Sequence, residues 1–221
     1  MRRIALALAV AGCAIAPAMA QDKQVNLKVS LWVPTAHPLY PSTKAWTESM
    51  EKASNGTIKA TLFPAEQLGK AFDHYDMARD GIADVTYINP GYQPGRFPVI
   101  AVGQIPFTFA DAGKGTAALD QWYRKYAPAE MKDTKFCFAF MHDPGSLHSR
   151  KKVTVPGDIK GMKIRPSHST TAELVTMLGG TNVQASAPEA RDMLERGVAD
   201  AIFFPWGSMF LFGVEKHIKY S

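Results

Sequence analysis

From residue 25 to 33 the chain alternates Val25, Leu27, Val29, Leu31 and Val33 with Asn26, Lys28, Ser30 and Trp32. That period of two predicts a strand with one buried face. Over 39–55 the period lengthens and predicts a helix, stopped by Gly56. A strand over 57–63, a helix over 72–80 and a strand over 83–88 follow. The Pro- and Gly-rich stretch 89–106 is too punctuated for regular structure and predicts a long connection. Next come a helix over 111–126, a strand over 135–142 and a turn at Asp143-Pro144-Gly145. Beyond Lys152 the alternation resumes: strand 162–165, helix 170–178, strand 182–185, helix 187–196, strand 201–204, and a last short strand over 217–220. Thr170 with Glu173, and Ser186 with Glu189, have capping-box spacing. Strands alternating with helices predict an α/β fold with mostly parallel sheets.

One stretch occurs twice. Arg79-Asp80-Gly81-Ile82-Ala83-Asp84-Val85 is echoed by Glu195-Arg196-Gly197-Val198-Ala199-Asp200-Ala201. In each, a helix stops at a Gly able to take the left-handed conformation, and a strand begins shortly afterwards. The echo is either a common αβ loop met twice or the mark of two similarly built lobes with a cleft between them.

Composition narrows the class. With 46% hydrophobic and 20% charged residues the chain can bury a core and is not disordered. The formal charge of +5 falls once the N-terminus is considered. Arg2 and Arg3, the apolar run 4–16 and Ala18-Met19-Ala20 have the order of a cleavable signal peptide over residues 1–20. Its removal before Gln21 leaves 23 bases against 20 acids, which argues for no nucleic-acid partner. Val10-Ala11-Gly12-Cys13 offers a competing lipid-attachment site. Cys137, in Phe136-Cys137-Phe138-Ala139-Phe140, is expected to be a buried small hydrophobe.

Enzyme motifs are missing: the sequence has no G-x-S-x-G, H-E-x-x-H, Walker A loop or C-x-x-C. Gly113-Lys114-Gly115-Thr116-Ala117-Ala118 has the spacing of a dinucleotide loop, but Ala110-Asp111-Ala112 intervenes before it where a strand should run straight in. Six scattered histidines show no ligand spacing, so no metal and no cofactor are expected. Arg165 stands apart. It ends a short strand that Pro166 stops, and the carboxyl ends of parallel strands are where α/β proteins hold ligands. A guanidinium there either pairs with a structural acid or grips a carboxylate in two-pronged fashion.

Several runs together resemble one family, the solute-binding receptors of tripartite ATP-independent periplasmic (TRAP) transporters of the DctP type. They are 55–59, Phe63-Pro64-Ala65-Glu66-Gln67-Leu68-Gly69, Gln104-Ile105-Pro106-Phe107, Pro156-Gly157-Asp158-Ile159-Lys160-Gly161-Met162-Lys163-Ile164-Arg165, and 194–200. The resemblance implies a two-lobed periplasmic fold with a ligand cleft between the lobes, the first over 21–142 and the second over 143–221. It implies that Arg165 anchors an organic carboxylate, that membrane permease subunits are the partners, and that no catalysis is involved. A receptor for an ATP-driven importer or a sensor is the alternative, and a secreted hydrolase the more distant one. Positions at strand ends suggest Trp32, His37, Tyr87, Asn89, Phe204 and Trp206 as cleft wall. Where many relatives place an amide before a proline, this chain has Phe204-Pro205, which favours a bulky or aromatic acid over a small dicarboxylate. Receptors of this type also continue beyond this length, so the second lobe is expected to be truncated and incompletely packed.

Overall fold

The computed structural model describes residues 23–221. The expected signal peptide, its cleavage site before Gln21, and Cys13 lie outside the described residues. Strand β1 (Val25–Ser30) is the centre of the first sheet. Its early residues are exposed, and burial becomes complete only toward its carboxyl end, where Val29, Ser30, Leu31, Trp32 and Val33 are all buried. Helix α1 (Leu39–Ala53) returns the chain, and Asn55 and Gly56, both at positive φ, turn it into β2 (Ile58–Phe63). β2 pairs parallel with β1 from Val25↔Ile58 to Ser30↔Phe63. A 3₁₀ turn (Ala71–Asp73) and helix α2 (His74–Arg79) then lead to β3 (Val85–Thr86), parallel to β1 on its other side. The sheet order is β2-β1-β3.

The connection over 89–106 contains two 3₁₀ turns, Pro90–Tyr92 and Ile100–Gln104. Helices α3 (Ala112–Tyr123) and α4 (Ala127–Glu130) follow. Gly113 and Gly115 lie in the first turns of α3, capped by Asp111, so they form no strand-to-helix dinucleotide loop. The second sheet comprises β4 (Gly145–Ser149), β5 (Lys163–Arg165), β6 (Thr181–Asn182) and β7 (Ala201–Pro205), in the order β4-β7-β5-β6. Helices α5 (Ser169–Met177) and α6 (Ala190–Glu195) link its parallel strands, and α7 (Trp206–Leu211) follows β7. Only β4 runs antiparallel, against β7.

Five local expectations are corrected. Residues 135–142 form no strand, because their backbone is held by side chains of α3 and not by a ladder. Ala139 N donates to Asp120 Oδ1 (2.7 Å) and Met141 N to Thr116 Oγ1 (2.9 Å). That extended segment turns Phe136 and Ala139 inward and leaves Cys137 exposed, not buried. Gly145, expected in a turn, instead opens β4. Residues 217–220 are no strand either; a 3₁₀ turn (Glu215–His217) and a single Ser149–Tyr220 bridge occupy that end. Finally, α5 is capped by His168, whose ring accepts from Thr171 N, and not by Thr170.

The repeated sequence corresponds to a repeated device. Gly81 (φ 71°) and Gly197 (φ 68°) end α2 and α6 in the left-handed conformation that glycine takes without strain. Three residues on, Asp84 and Asp200 each clamp a lysine of the central strand through the backbone. Lys28 N donates to Asp84 Oδ2 (2.7 Å) and Asp84 N to Lys28 O (2.9 Å). Lys163 N donates to Asp200 Oδ2 (2.9 Å) and Asp200 N to Lys163 O (2.7 Å). The two sheets thus set the register of their entering strands in the same way, and the sequence echo is architectural.

The largest apolar cluster joins the sheets. Leu31, Trp32, Val33 and Tyr92 pack in one core with Ala185, Leu194, Ile202 and Phe204. A second cluster, around Tyr75, Leu119 and Tyr123, lies under α3, and a third backs β5 with Ile159, Ile164 and Val175.

Candidate functional site

Both sheets have a central strand flanked on either side by strands that follow it in the chain, and such a switch in direction opens a crevice at the strands' carboxyl ends. In the first sheet that crevice lies between β1 and β3. Ser30 pairs with Thr86, so Trp32 and Tyr87 leave the sheet side by side and stack, ring centroids 4.8 Å apart. In the second sheet it lies between β5 and β7. Arg165 pairs with Ile202, which sets its side chain beside Phe203 and Phe204.

The two crevices meet at Tyr92. Its ring lies 4.8 Å from Phe72 and 5.9 Å from Trp32. Its hydroxyl accepts from Arg165 Nη2 (3.2 Å) and from the backbone N of Ala187 (2.8 Å). Gly91 makes this approach possible: a Cβ there would stand 2.2 Å from His168 Cβ and 2.7 Å from Gln104 Oε1. Asn89 holds the turn, accepting from Gly91 N (3.0 Å) and Gln104 Nε2 (3.3 Å) and donating to Ser167 O (3.5 Å).

Arg165 is 1% exposed, and none of the ion pairs among the described residues includes it. Its Nε donates to Ala185 O (3.0 Å), Nη1 to Phe203 O (3.3 Å) and Nη2 to Tyr92 Oη. A guanidinium has five N–H groups, so one remains on each terminal nitrogen. Its Cζ lies 5.3 Å from the centre of the Phe204 ring, a cation–π contact. Burial pulls its pKa below the ordinary arginine value, while Tyr92 and Glu189 oppose that shift. Burying a cation costs several kcal/mol even after the surroundings relax. Two carbonyls and a phenol offset part of that; a carboxylate would offset more.

Around this cation the walls are aromatic. Tyr87 stacks on Phe140 at 5.5 Å, and Phe204 packs on Phe212 at 5.6 Å. Burial raises the Tyr87 phenol's pKa far above its usual value, which keeps it protonated. Trp32 Nε1 is buried with no hydrogen-bond partner among the described residues. Two open clefts flank the group. One, about 540 Å³, runs between Trp32, Ala65 and Glu66 on one side and Pro188, Arg191 and Phe212 on the other. The second, about 510 Å³, is lined by Tyr92, Ser167, His168 and Ala185 among others. Each is large enough for a small organic acid. Ala65 and Glu66, both at positive φ (51° and 59°), carry local backbone strain where the chain leaves β2.

Of the residues singled out from sequence, Arg165, Phe204, Trp32 and Tyr87 are brought together. His37 lies at the rim, its ring 6.1 Å from Phe212 and its Nδ1 accepting from Leu39 N (3.1 Å). Asn89 supports the wall from behind. Trp206, 53% exposed, packs edge-on against His148 and not in the aromatic group. Tyr92, Phe72, Phe140 and Phe212 join the site without having been singled out; Tyr92 comes from a connection and Phe212 from α7's end, while Phe72 and Phe140 lie where the pattern predicts a helix and a strand but the chain forms a 3₁₀ turn and an extended segment. Among the described residues no group of three or more His, Cys, Asp or Glu could hold a metal ion, and no helix is long and apolar enough to cross a membrane.

Bacterial extracellular solute-binding protein, family 7 (DctP), matches residues 29–221. Three crystal structures are similar. A TRAP solute-binding protein from an unidentified marine-metagenome microbe, specific for aromatic acid ligands and holding 3-hydroxybenzoate, is 32% identical (TM-score 0.83, covering 90% of this chain and 63% of that one). A TRAP solute-binding protein from Rhodoferax ferrireducens with copurified benzoate is 30% identical (TM-score 0.82; 89% and 62%). One from Bordetella bronchiseptica with bound (R)- and (S)-mandelate is 31% identical (TM-score 0.82; 88% and 63%). The chain therefore spans less than two thirds of the length of each.

Proposed function

The chain belongs to the DctP family of bacterial extracellular solute-binding proteins, and on that premise we propose that it captures an aromatic carboxylic acid for a TRAP transporter. The observation that carries the reading is Arg165: a buried cation with no acidic partner among the described residues, two N–H groups unspent, and aromatic rings on the sides around it. Those two N–H groups, one on each terminal nitrogen, suit a carboxylate held by parallel charge-assisted bonds. Phe204, Trp32 and Tyr87 supply the apolar surround that an aromatic ring prefers and a second carboxylate would not. The ligands named for the three similar structures, two benzoates and mandelate, support the same class.

The mechanism in this reading is binding and enclosure without covalent chemistry. With Arg165 almost wholly out of solvent, a ligand reaches it when the two lobes part, and contacts from both exist only when they close. Closure is then favoured by the ligand's differential affinity for the closed form. The lobes are drawn at 21–142 and 143–221, the protein is exported to the periplasm by the leader over 1–20, and the closed form is handed to the membrane permease subunits of the transporter. His37 contributes at the rim, and Asn89 acts by holding the 90–92 turn; Trp206 is reserved for the outer margin of the second lobe.

Titration calorimetry with benzoate, 3-hydroxybenzoate, mandelate and succinate tests the ligand class. Binding of one or more aromatic acids with no heat from succinate is expected. Succinate binding with no aromatic acid bound would overturn it.

A further inference from the structure

We infer that Tyr92 is a cross-lobe latch that orients Arg165 and itself donates a hydrogen bond to the bound carboxylate. The inference rests on the carboxylate reading above and adds a residue to it. Tyr92 belongs to the turn that follows β3 of the first sheet, and its ring packs on Trp32 and Phe72 of that sheet's side. Both groups that its oxygen accepts belong to the second: the Arg165 guanidinium at the end of β5 and the Ala187 N–H ahead of α6. These are the only side-chain hydrogen bonds by which the described residues tie a first-sheet aromatic to the anion site.

A phenol oxygen accepts through its lone pairs and donates one hydrogen. Here both acceptances come from the protein, and the hydroxyl hydrogen has no acceptor among the described residues. Two donors approaching the oxygen direct that hydrogen away from both. Arg165 likewise keeps one N–H on the same terminal nitrogen that reaches Tyr92. A carboxylate accepting from Arg165 therefore lies within the reach of the Tyr92 hydroxyl, and three donors meet one anion. Because Tyr92 is anchored in the first sheet and Arg165 in the second, the bound anion becomes a third tie between them. Opening the cleft must break the Tyr92–Arg165 and Tyr92–Ala187 bonds, so the ligand and the latch stabilise the same closed state.

Tyr92→Phe keeps the ring, its packing on Phe72 and Trp32, and removes only the oxygen. Benzoate is the probe, with calorimetry on the parent chain establishing that it binds. In the variant, affinity is expected to fall by about ten- to a hundredfold, since a bond to a charged group is lost and Arg165 keeps only the two carbonyls of its three protein partners. A merely structural tyrosine would shift the melting temperature and leave affinity intact, so the decisive readout is a double-mutant cycle with Arg165→Lys. The two losses are expected to be far from additive, because the residues share one anion. Additive losses, or an unchanged affinity in Tyr92→Phe, would overturn the latch while leaving the carboxylate reading standing; a parent chain that binds none of the aromatic acids would remove both. Hydrogen exchange of the Ala187 amide in the unmodified chain guards against a variant that fails to fold. Benzoate is expected to slow that exchange, and no slowing under saturating benzoate would also overturn the latch.

Discussion

Replacing Arg165 by lysine keeps one positive charge and destroys the fork. The guanidinium's five N–H groups serve Ala185 O (3.0 Å), Phe203 O (3.3 Å) and Tyr92 Oη (3.2 Å), with two left for a ligand. An ammonium offers three donors from a single point. The two carbonyls are fixed by the backbone of β7 and the segment after β6, so they do not move to follow it. A lysine that satisfies the three protein partners has nothing left for the anion; one that turns to the anion abandons the carbonyls. One or two charge-assisted bonds are lost in either case, at about 1.5–3 kcal/mol each. A central loss of about 3 kcal/mol corresponds to roughly a hundredfold in Kd. The melting temperature should fall as well, since the same arginine bridges β5, β7 and the turn at Tyr92. Calorimetry with benzoate, run well below the variant's melting point, separates the effects. An affinity equal to the parent's in a folded Arg165→Lys protein would refute the two-pronged grip and remove Arg165 from the site.

Two further outcomes follow from the surroundings of the site. The His168 ring, its pKa held at about 4 by burial first and by repulsion from His142 and Arg165 next, is neutral in the native state. The unfolded chain takes that proton near 6.5, so the stability it contributes is complete above about 6.5 and is lost as pH falls from there toward 4. His168→Asn keeps an acceptor for the cap of α5 and is expected to flatten the melting-temperature profile over that window; a slope equal to the parent's would refute it. Gly91→Ala forces a methyl group to within 2.2 Å of His168 Cβ. Overpacking of this kind costs about 1–3 kcal/mol, and because Tyr92 is the next residue, both melting temperature and benzoate affinity should drop; a melting curve identical to the parent's would show that the 90–92 turn yields without cost.

Much of the fold was legible because it is periodic. β1, β2, α1 and β7 lie within a few residues of where alternation or helical spacing puts them, and the Gly81 and Gly197 echo marked a loop that recurs in space. The segment 135–142 misled because its apolar residues imitate a strand, while the partners that hold it, Asp120 and Thr116, are side chains of a helix that no pattern links to it. Cys137 followed the same error. Arg165 and Phe204 were readable as ends of strands, the place where a parallel sheet offers side chains to a crevice. Tyr92 was not, because its position depends on Gly91 allowing a close approach between segments far apart in the chain. Trp206 shows the opposite failure: two residues beyond Phe204, it has already entered α7 and turned outward.

The chain carries four tryptophans, and their environments differ enough to serve as a built-in optical probe. Trp122 and Trp206 are exposed and Trp46 is half-buried, while Trp32 is 6% exposed, stacked on Tyr87 and edged by Tyr92. A soluble quencher such as iodide reaches the outer rings and leaves the emission of Trp32. That residual light comes from the indole that stands in the β1–β3 crevice, with its N–H unpartnered among the described residues and sensitive to any acceptor that arrives. Titration with benzoate can therefore be monitored without a label, in the unmodified chain, at concentrations far below those calorimetry needs.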